Sequence, residues 1–140
     1  MANVGPIVMI EDDPDDQDTF LIVLQQLNIQ NKVLFFESPA AAWGYLQDTH
    51  DQPFIIFCDV NLPGESGLHF KKKIDEHPQL KEKSIPFIFY STSVDAKSVA
   101  SAYKELTVQG FFKKENGLQE IKNAMRIIFD YWKLSRHPNW

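Results

Sequence analysis

The feature that most limits the fold is a set of five short runs, PIVMIE, KVLFFE, PFIIFCD, IPFIFYS and GFFKK. Each is largely apolar and closes on a polar or charged residue. A strand with one wet face alternates apolar and polar side chains, whereas a continuous apolar run suits a strand covered on both faces. Between the runs lie stretches with helical spacing. Phe20, Leu21, Leu24 and Leu27 follow the first run, AAAWGYLQ the second, GLHFKKKIDEH the third, and a weaker pattern from Ala96 to Leu106 the fourth. The last stretch is the clearest, with Leu118, Ile121, Met125, Ile128 and Trp132 on one stripe. Asp13-Pro14 and Ser38-Pro39 read as helix starts, a capping side chain followed by proline at the first helical position. Five strands alternating with five helices predict an α/β fold, a doubly wound five-stranded parallel sheet with helices on both faces. A chain of 140 residues is expected to form one domain, 1–140, with a core over about 5–135 and a short tail at 136–140. In such folds function gathers at the carboxyl ends of the strands.

At the carboxyl end of the first run the apolar segment meets EDDPDDQD. Of the 19 acidic residues, six fall between Glu11 and Asp18, leaving 13 to set against 14 basic residues. The net charge of −5 is therefore a local feature. The nearly neutral remainder offers no basic stripe to neutralise phosphates, which argues against nucleic acid as a ligand. The single cysteine, Cys58, excludes an internal disulfide and fits a reducing compartment. The opening MANVGP has no basic segment followed by an apolar one, and no apolar run approaches the roughly 20 residues of a membrane span. A cytoplasmic protein with no membrane partner is expected.

The cap and first turn of the first helix account for Asp13, Asp15 and Asp16, because free backbone N–H groups and the helix dipole favour negative charge there. That account does not reach Glu11 and Asp12, which close the strand before the helix begins. Together with Asp59 they would put three carboxylates in one cleft, where a hard cation such as Mg²⁺ offsets their repulsion. Asp59 follows IIFC and precedes the turn NLPGESG. A carboxylate so presented can serve as a metal ligand or as a nucleophile that forms an acyl phosphate. Ser91 closes the fourth run, and its hydroxyl can donate to a phosphoryl oxygen; Thr92 and Ser93 are rivals by composition alone. Lys113 and Lys114 are neighbours, so on a strand they point to opposite faces and only one enters the cleft. Cys58 reads as a small buried apolar residue. His50, His69, His77 and His137 are scattered without ligand spacing and are not assigned to a metal.

This set resembles the receiver domain of two-component response regulators, of the single-domain chemotaxis-regulator type. The residues that carry the resemblance are the acidic pair Glu11-Asp12, the D-x-x-x-P-x-x-x-G run from Asp59 through Pro63 to Gly67, Ser91 after the fourth strand, and Lys114 four residues after Gly110. The resemblance implies a flavodoxin-like strand order, 2-1-3-4-5. It implies that Asp59 is the phosphoacceptor and that Mg²⁺ is held by Asp12, Glu11, Asp59 and the backbone carbonyl of Asn61. Ser91 and Lys114 would bind the phosphoryl group, and Phe111 would occupy the aromatic switch position. The signal would leave through a surface made by the fourth helix, the fifth strand and the last helix. The family usually has Lys-Pro after the fifth strand, with a cis bond; here it is Lys114-Glu115, and a cis bond without proline costs about 3 kcal/mol.

Two enzyme or cofactor classes fit less well. A phosphatase of the haloacid-dehalogenase type needs D-x-D, and Asp59-Val60-Asn61 lacks the second acid for proton transfer. A flavodoxin-like cofactor binder needs a glycine- and hydroxyl-rich phosphate loop after the first strand, which EDDPDDQD is not. The expectation is a phosphoacceptor signalling protein rather than an enzyme. Its expected partners are a sensor histidine kinase or histidine phosphotransfer protein upstream and an effector protein downstream, and its state a monomer or a phosphorylation-dependent dimer. No output domain is expected after the tail. The competing reading is a degenerate receiver that docks partners without phosphorylation.

Overall fold

A computed structural model of the chain describes residues 4–92 and 94–138. All five expected strands are present: β1 (Ile7–Ile10), β2 (Val33–Phe36), β3 (Ile55–Cys58), β4 (Phe87–Ser91) and β5 (Gly110–Lys113). They form one parallel sheet in the order β2-β1-β3-β4-β5. The helices are α1 (Pro14–Gln26), α2 (Pro39–Asp48), α3 (Gly67–Glu76), α4 (Pro78–Lys83), α5 (Ala96–Glu105) and α6 (Leu118–Leu134).

The continuous apolar runs are explained by two cores, one on each face of the sheet. Ile7, Met9, Ile55, Phe57, Ile88 and Tyr90 point toward α1 and α6 and meet Phe20, Leu24, Met125, Ile128, Phe129 and Trp132. Their neighbours Val8, Ile10, Ile56, Cys58, Phe87 and Phe89 point the other way, into Ala42, Leu46, Phe70, Ile74, Leu80 and Ala102. Strand residues alternate between faces, so covering both faces demands an apolar residue at every position. Edge strand β2 is only half-buried along its length. On the helices, Leu21 and Leu118 belong to the apolar spacing yet are exposed, so the buried stripes are narrower than the sequence pattern.

The caps form as the sequence predicts. The Asp13 side chain accepts the Asp15 N–H at 2.9 Å, with Pro14 at the first turn of α1. Ser38 accepts the Ala41 N–H at 3.2 Å ahead of α2, with Pro39 in its first turn. The expected five helices become six because α4 is a separate helix. Pro78 lacks an N–H and disfavours helical backbone at the residue before it, and His77 takes φ −90°, ψ 113°. His77 then caps α4 through Nδ1, which accepts the Leu80 N–H at 3.2 Å.

The tail is not a loose end over its described part. His137 is buried, its Nε2 lies 2.9 Å from the Phe54 carbonyl oxygen, and its ring packs against Phe54 and Trp132. Trp140 and Ser93 lie outside the described residues. Among the described residues no peptide bond is cis, so Lys114-Glu115 is trans. No helix among them is long and apolar enough to cross a membrane.

Candidate functional site

Parallel register brings the strand ends to one edge. Ile10 pairs with Phe36 and with Cys58, Cys58 with Phe89, and Ser91 with Lys113. The residues that follow these ends, Glu11, Asp59 and Lys114, therefore converge with Ser91 on one cleft. All four are buried, with Glu11 1% exposed and Ser91 fully enclosed. Asp12 lies beside them and is exposed.

Asp59 is held by both carboxylate oxygens. Its Oδ1 accepts from the Ser91 hydroxyl at 2.8 Å and from the Asn61 N–H at 3.1 Å. Its Oδ2 accepts from Lys114 Nζ at 3.0 Å. Lys114 also donates to Glu11 Oε1 and, at 2.9 Å, to Asp16 Oδ2. Glu11 Oε2 accepts the Asp13 N–H at 3.2 Å, which ties the end of β1 to the start of α1. The Gln17 side chain donates to the Glu11 carbonyl oxygen at 2.6 Å and secures the same junction.

The turn after Asp59 depends on Gly67. A Cβ there would lie 2.2 Å from the Asp59 carbonyl oxygen, so only glycine lets α3 start this close to the strand end. Gly64 sits at φ +83°, where glycine has no steric penalty.

Burial pushes the Glu11 carboxyl well above its ordinary range, and Lys114 only partly counters this. Burial would depress the Lys114 ammonium, but Glu11, Asp16 and Asp59 reverse the effect and hold it above its ordinary value. Lys114 is therefore charged. The Cys58 thiol, fully buried beside Asp59, is pushed upward by burial and stays protonated and inert.

Carboxylate oxygens of Glu11, Asp12 and Asp59 lie within 4.8 Å of one another. With Asp16 added, four carboxylates share this end of the sheet with one ammonium, which pairs with three of them. This excess of negative charge and the all-oxygen donor set fit a hard divalent cation such as Mg²⁺.

The structure thus brings together Glu11, Asp12, Asp59, Ser91 and Lys114. The backbone N–H of Asn61 reaches Asp59, and its side chain is exposed. Lys113 is exposed and Lys114 buried, the opposite-face arrangement expected of neighbours on a strand. Phe111 is half-buried in the second core, its ring 5.4 Å from that of Phe89. Asp16 is the residue that sequence reasoning missed. Helix capping explained its charge, and its ion pair with Lys114 spans 98 positions of sequence, a contact that no local pattern records.

The profile of the response regulator receiver domain matches residues 7–126. The sensory transduction protein LytR of Staphylococcus saprophyticus is 28% identical over 121 residues, which cover 86% of this chain and 44% of that protein. This chain thus spans under half the length of that curated relative. The crystal structure of the phosphorylated cyanobacterial phytochrome response regulator RcpA superposes with a TM-score of 0.84 at 23% identity, covering 95% of this chain and 96% of that one. The Mn²⁺-bound form of response regulator Rcp1 gives 0.81 at 25% identity, covering 95% and 97%. The bacteriophytochrome response regulator RtBRR gives 0.73 at 26% identity, covering 90% and 77%.

Proposed function

From the premise that this chain belongs to the response regulator receiver domain family of two-component signalling, we propose that it is a phosphoacceptor whose nucleophile is Asp59. The observation that carries this is the clamp on Asp59: Ser91 on one carboxylate oxygen and Lys114 on the other, with Glu11 and Asp12 alongside. The donor is a phosphohistidine on a sensor kinase or a histidine phosphotransfer protein.

Glu11, Asp12 and Asp59, with the Asn61 carbonyl, would hold Mg²⁺. The related Rcp1 is known in a Mn²⁺-bound form, and the receiver domain of sensor kinase PA1611 with magnesium in its active-site cleft. Bound there, the cation supplies charge neutralisation for the transferring phosphoryl group. The rest is done by the protein. Asp59 attacks phosphorus in line, an O–P bond forms, and the N–P bond breaks with its electron pair going to the imidazole nitrogen. Lys114 already points at Asp59 Oδ2 and turns its N–H groups to the new phosphoryl oxygens. Ser91 transfers its hydrogen bond from Asp59 Oδ1 to a phosphoryl oxygen.

Movement of Ser91 opens space beside Phe89 on its own strand and Phe111 on the neighbouring β5, and Phe111 turns inward to fill it. The equilibrium of the α5–β5–α6 surface shifts, and an effector protein reads that shift. The alternative of a docking module without phosphorylation rests on the missing proline after Lys114. Against it stands the Lys114 ammonium, which reaches Glu11, Asp16 and Asp59 without that proline.

The test is intact-mass analysis after incubation with acetyl phosphate, with and without Mg²⁺. One added phosphoryl group that requires Mg²⁺ and vanishes in Asp59→Asn is the expected result. An equal gain in Asp59→Asn would refute the assignment.

A further inference from the structure

The Lys114 ammonium has three protons and three carboxylate partners, Glu11, Asp59 and Asp16. Two of these acids also belong to the oxygen cluster of Glu11, Asp12 and Asp59. The ammonium and a divalent cation therefore compete for the same carboxylates and repel each other. Asp16 stands outside that cluster. It reaches Lys114 from the first turn of α1 at 2.9 Å, and its side chain is 39% exposed. Its charge is not needed for the cap, because Asp13 supplies the side-chain acceptor there. A gap of about 20 Å³, room for about one water, adjoins Lys114 on this side. It is lined by Asp16, Tyr90 and Glu115 but by none of the three cluster acids.

We propose that Asp16 is a positioning residue. It draws the Lys114 ammonium aside and so releases Glu11 and Asp59 to the divalent cation. The inference rests on the reading of the cleft as a cation-dependent phosphoacceptor site. Without Asp16, Lys114 settles on Glu11 and Asp59, and the cation must displace it at a cost.

The test is calorimetric titration with Mg²⁺ of the full chain and five variants: Asp16→Asn, Asp15→Asn, Asp12→Asn, Lys114→Met and the Asp16→Asn/Lys114→Met double. Asp15 is the control, an exposed acid in the same turn that is not among the ion-pair partners of Lys114, which are Glu11, Asp16 and Asp59. A partly exposed ion pair such as Asp16–Lys114 sets the expected loss in Asp16→Asn at about three- to fivefold in Mg²⁺ affinity. Removing the Asp15 charge costs less than about twofold, because screening weakens its reach. With Lys114→Met in place, Asp16→Asn has no more effect than Asp15→Asn has in the parent. Equal losses in Asp16→Asn and Asp15→Asn would overturn the proposal, because charge alone would then account for both. A loss that persists in the double variant would also overturn it, because Asp16 would then act on the cation directly. Mg²⁺ binding that Asp12→Asn abolishes and Asp16→Asn leaves untouched overturns the proposal alone. No Mg²⁺ binding by the parent overturns the site reading together with it.

Discussion

Gly67→Ala tests whether the position of Asp59 is set by the close approach of α3. In most first turns this change is neutral or helpful, because alanine gains up to about 1 kcal/mol over glycine in helical backbone. Here the added Cβ would meet the Asp59 carbonyl oxygen at 2.2 Å, the Asp59 carbonyl carbon at 3.1 Å and Cys58 Sγ at 3.1 Å. An ordinary carbon–oxygen contact is about 1 Å longer than the first of these, so something must move. The neighbours cannot yield easily. Asp59 N–H is bonded to the Ile10 carbonyl oxygen at 3.1 Å, and Cys58 is fully buried. The start of α3 must therefore lift, which stretches the 2.9 Å bond from Gly67 N–H to the Val60 carbonyl and loosens Phe70 and Ile74 in the second core. Overpacking of this kind costs about 1–3 kcal/mol, and the propensity gain of up to about 1 kcal/mol leaves a net loss of about 1 kcal/mol. Asp59 shifts as well, and a displacement of about 1 Å costs on the order of a hundredfold in rate. Urea unfolding gives the stability, and mass-monitored phosphorylation by acetyl phosphate gives the rate. Gly64→Ala is the control: nothing lies within 4 Å of its Cβ, so its cost is limited to about 1 kcal/mol of left-handed backbone strain. A Gly67→Ala protein as stable as the parent, or more so, would show that the close approach of α3 does not fix Asp59.

Lys114→Met leaves buried Glu11 and Asp59 without their cation, so in EDTA it unfolds with about 3 kcal/mol less stability. Mg²⁺ should raise its melting midpoint more than that of the parent, and an equal rise would contradict the shared use of these acids. Asp75 sits among Lys71 and Thr107, whose hydrogen bonds hold its carboxyl below the ordinary 3.8 despite partial burial. A depressed carboxyl gives stability that is present above pH 3.8 and fades as the pH falls through the folded value. The advantage of the parent over Asp75→Asn in urea should therefore shrink in that acid window, and a constant advantage would show the carboxyl to be unlinked. Phe111→Ala should keep Mg²⁺-dependent phosphorylation but lose the phosphorylation-induced change in hydrogen exchange over β5 and α5. An unchanged exchange response would remove Phe111 from the switch.

Local patterns made the sheet legible. Continuous apolar runs announced strands covered on both faces, and Asp13-Pro14 and Ser38-Pro39 marked the helix starts. The meeting of the candidate site residues was legible because they lie at strand ends, and parallel strands in register place those ends together. The end of α3 before Pro78 was legible too, since the spacing of GLHFKKKIDEH stops at His77; the six-residue α4 that follows was not, because so short a helix shows no apolar period. Asp16 and His137 were hidden for a different reason. Asp16 satisfies a helix dipole as well as a distant lysine, and the first explanation masked the second. His137 fills a place between Phe54 and Trp132 that exists only after the sheet and α6 have assembled.

The central claim is that Asp59 carries the phosphoryl group. The most direct measurement is borohydride reduction of the protein after incubation with acetyl phosphate and Mg²⁺, followed by peptide mapping. Borohydride converts an aspartyl phosphate to homoserine, so the account predicts homoserine at position 59 and nowhere else. Homoserine at Asp12, or phosphate retained on Ser91 or a histidine with Asp59 intact, would contradict it.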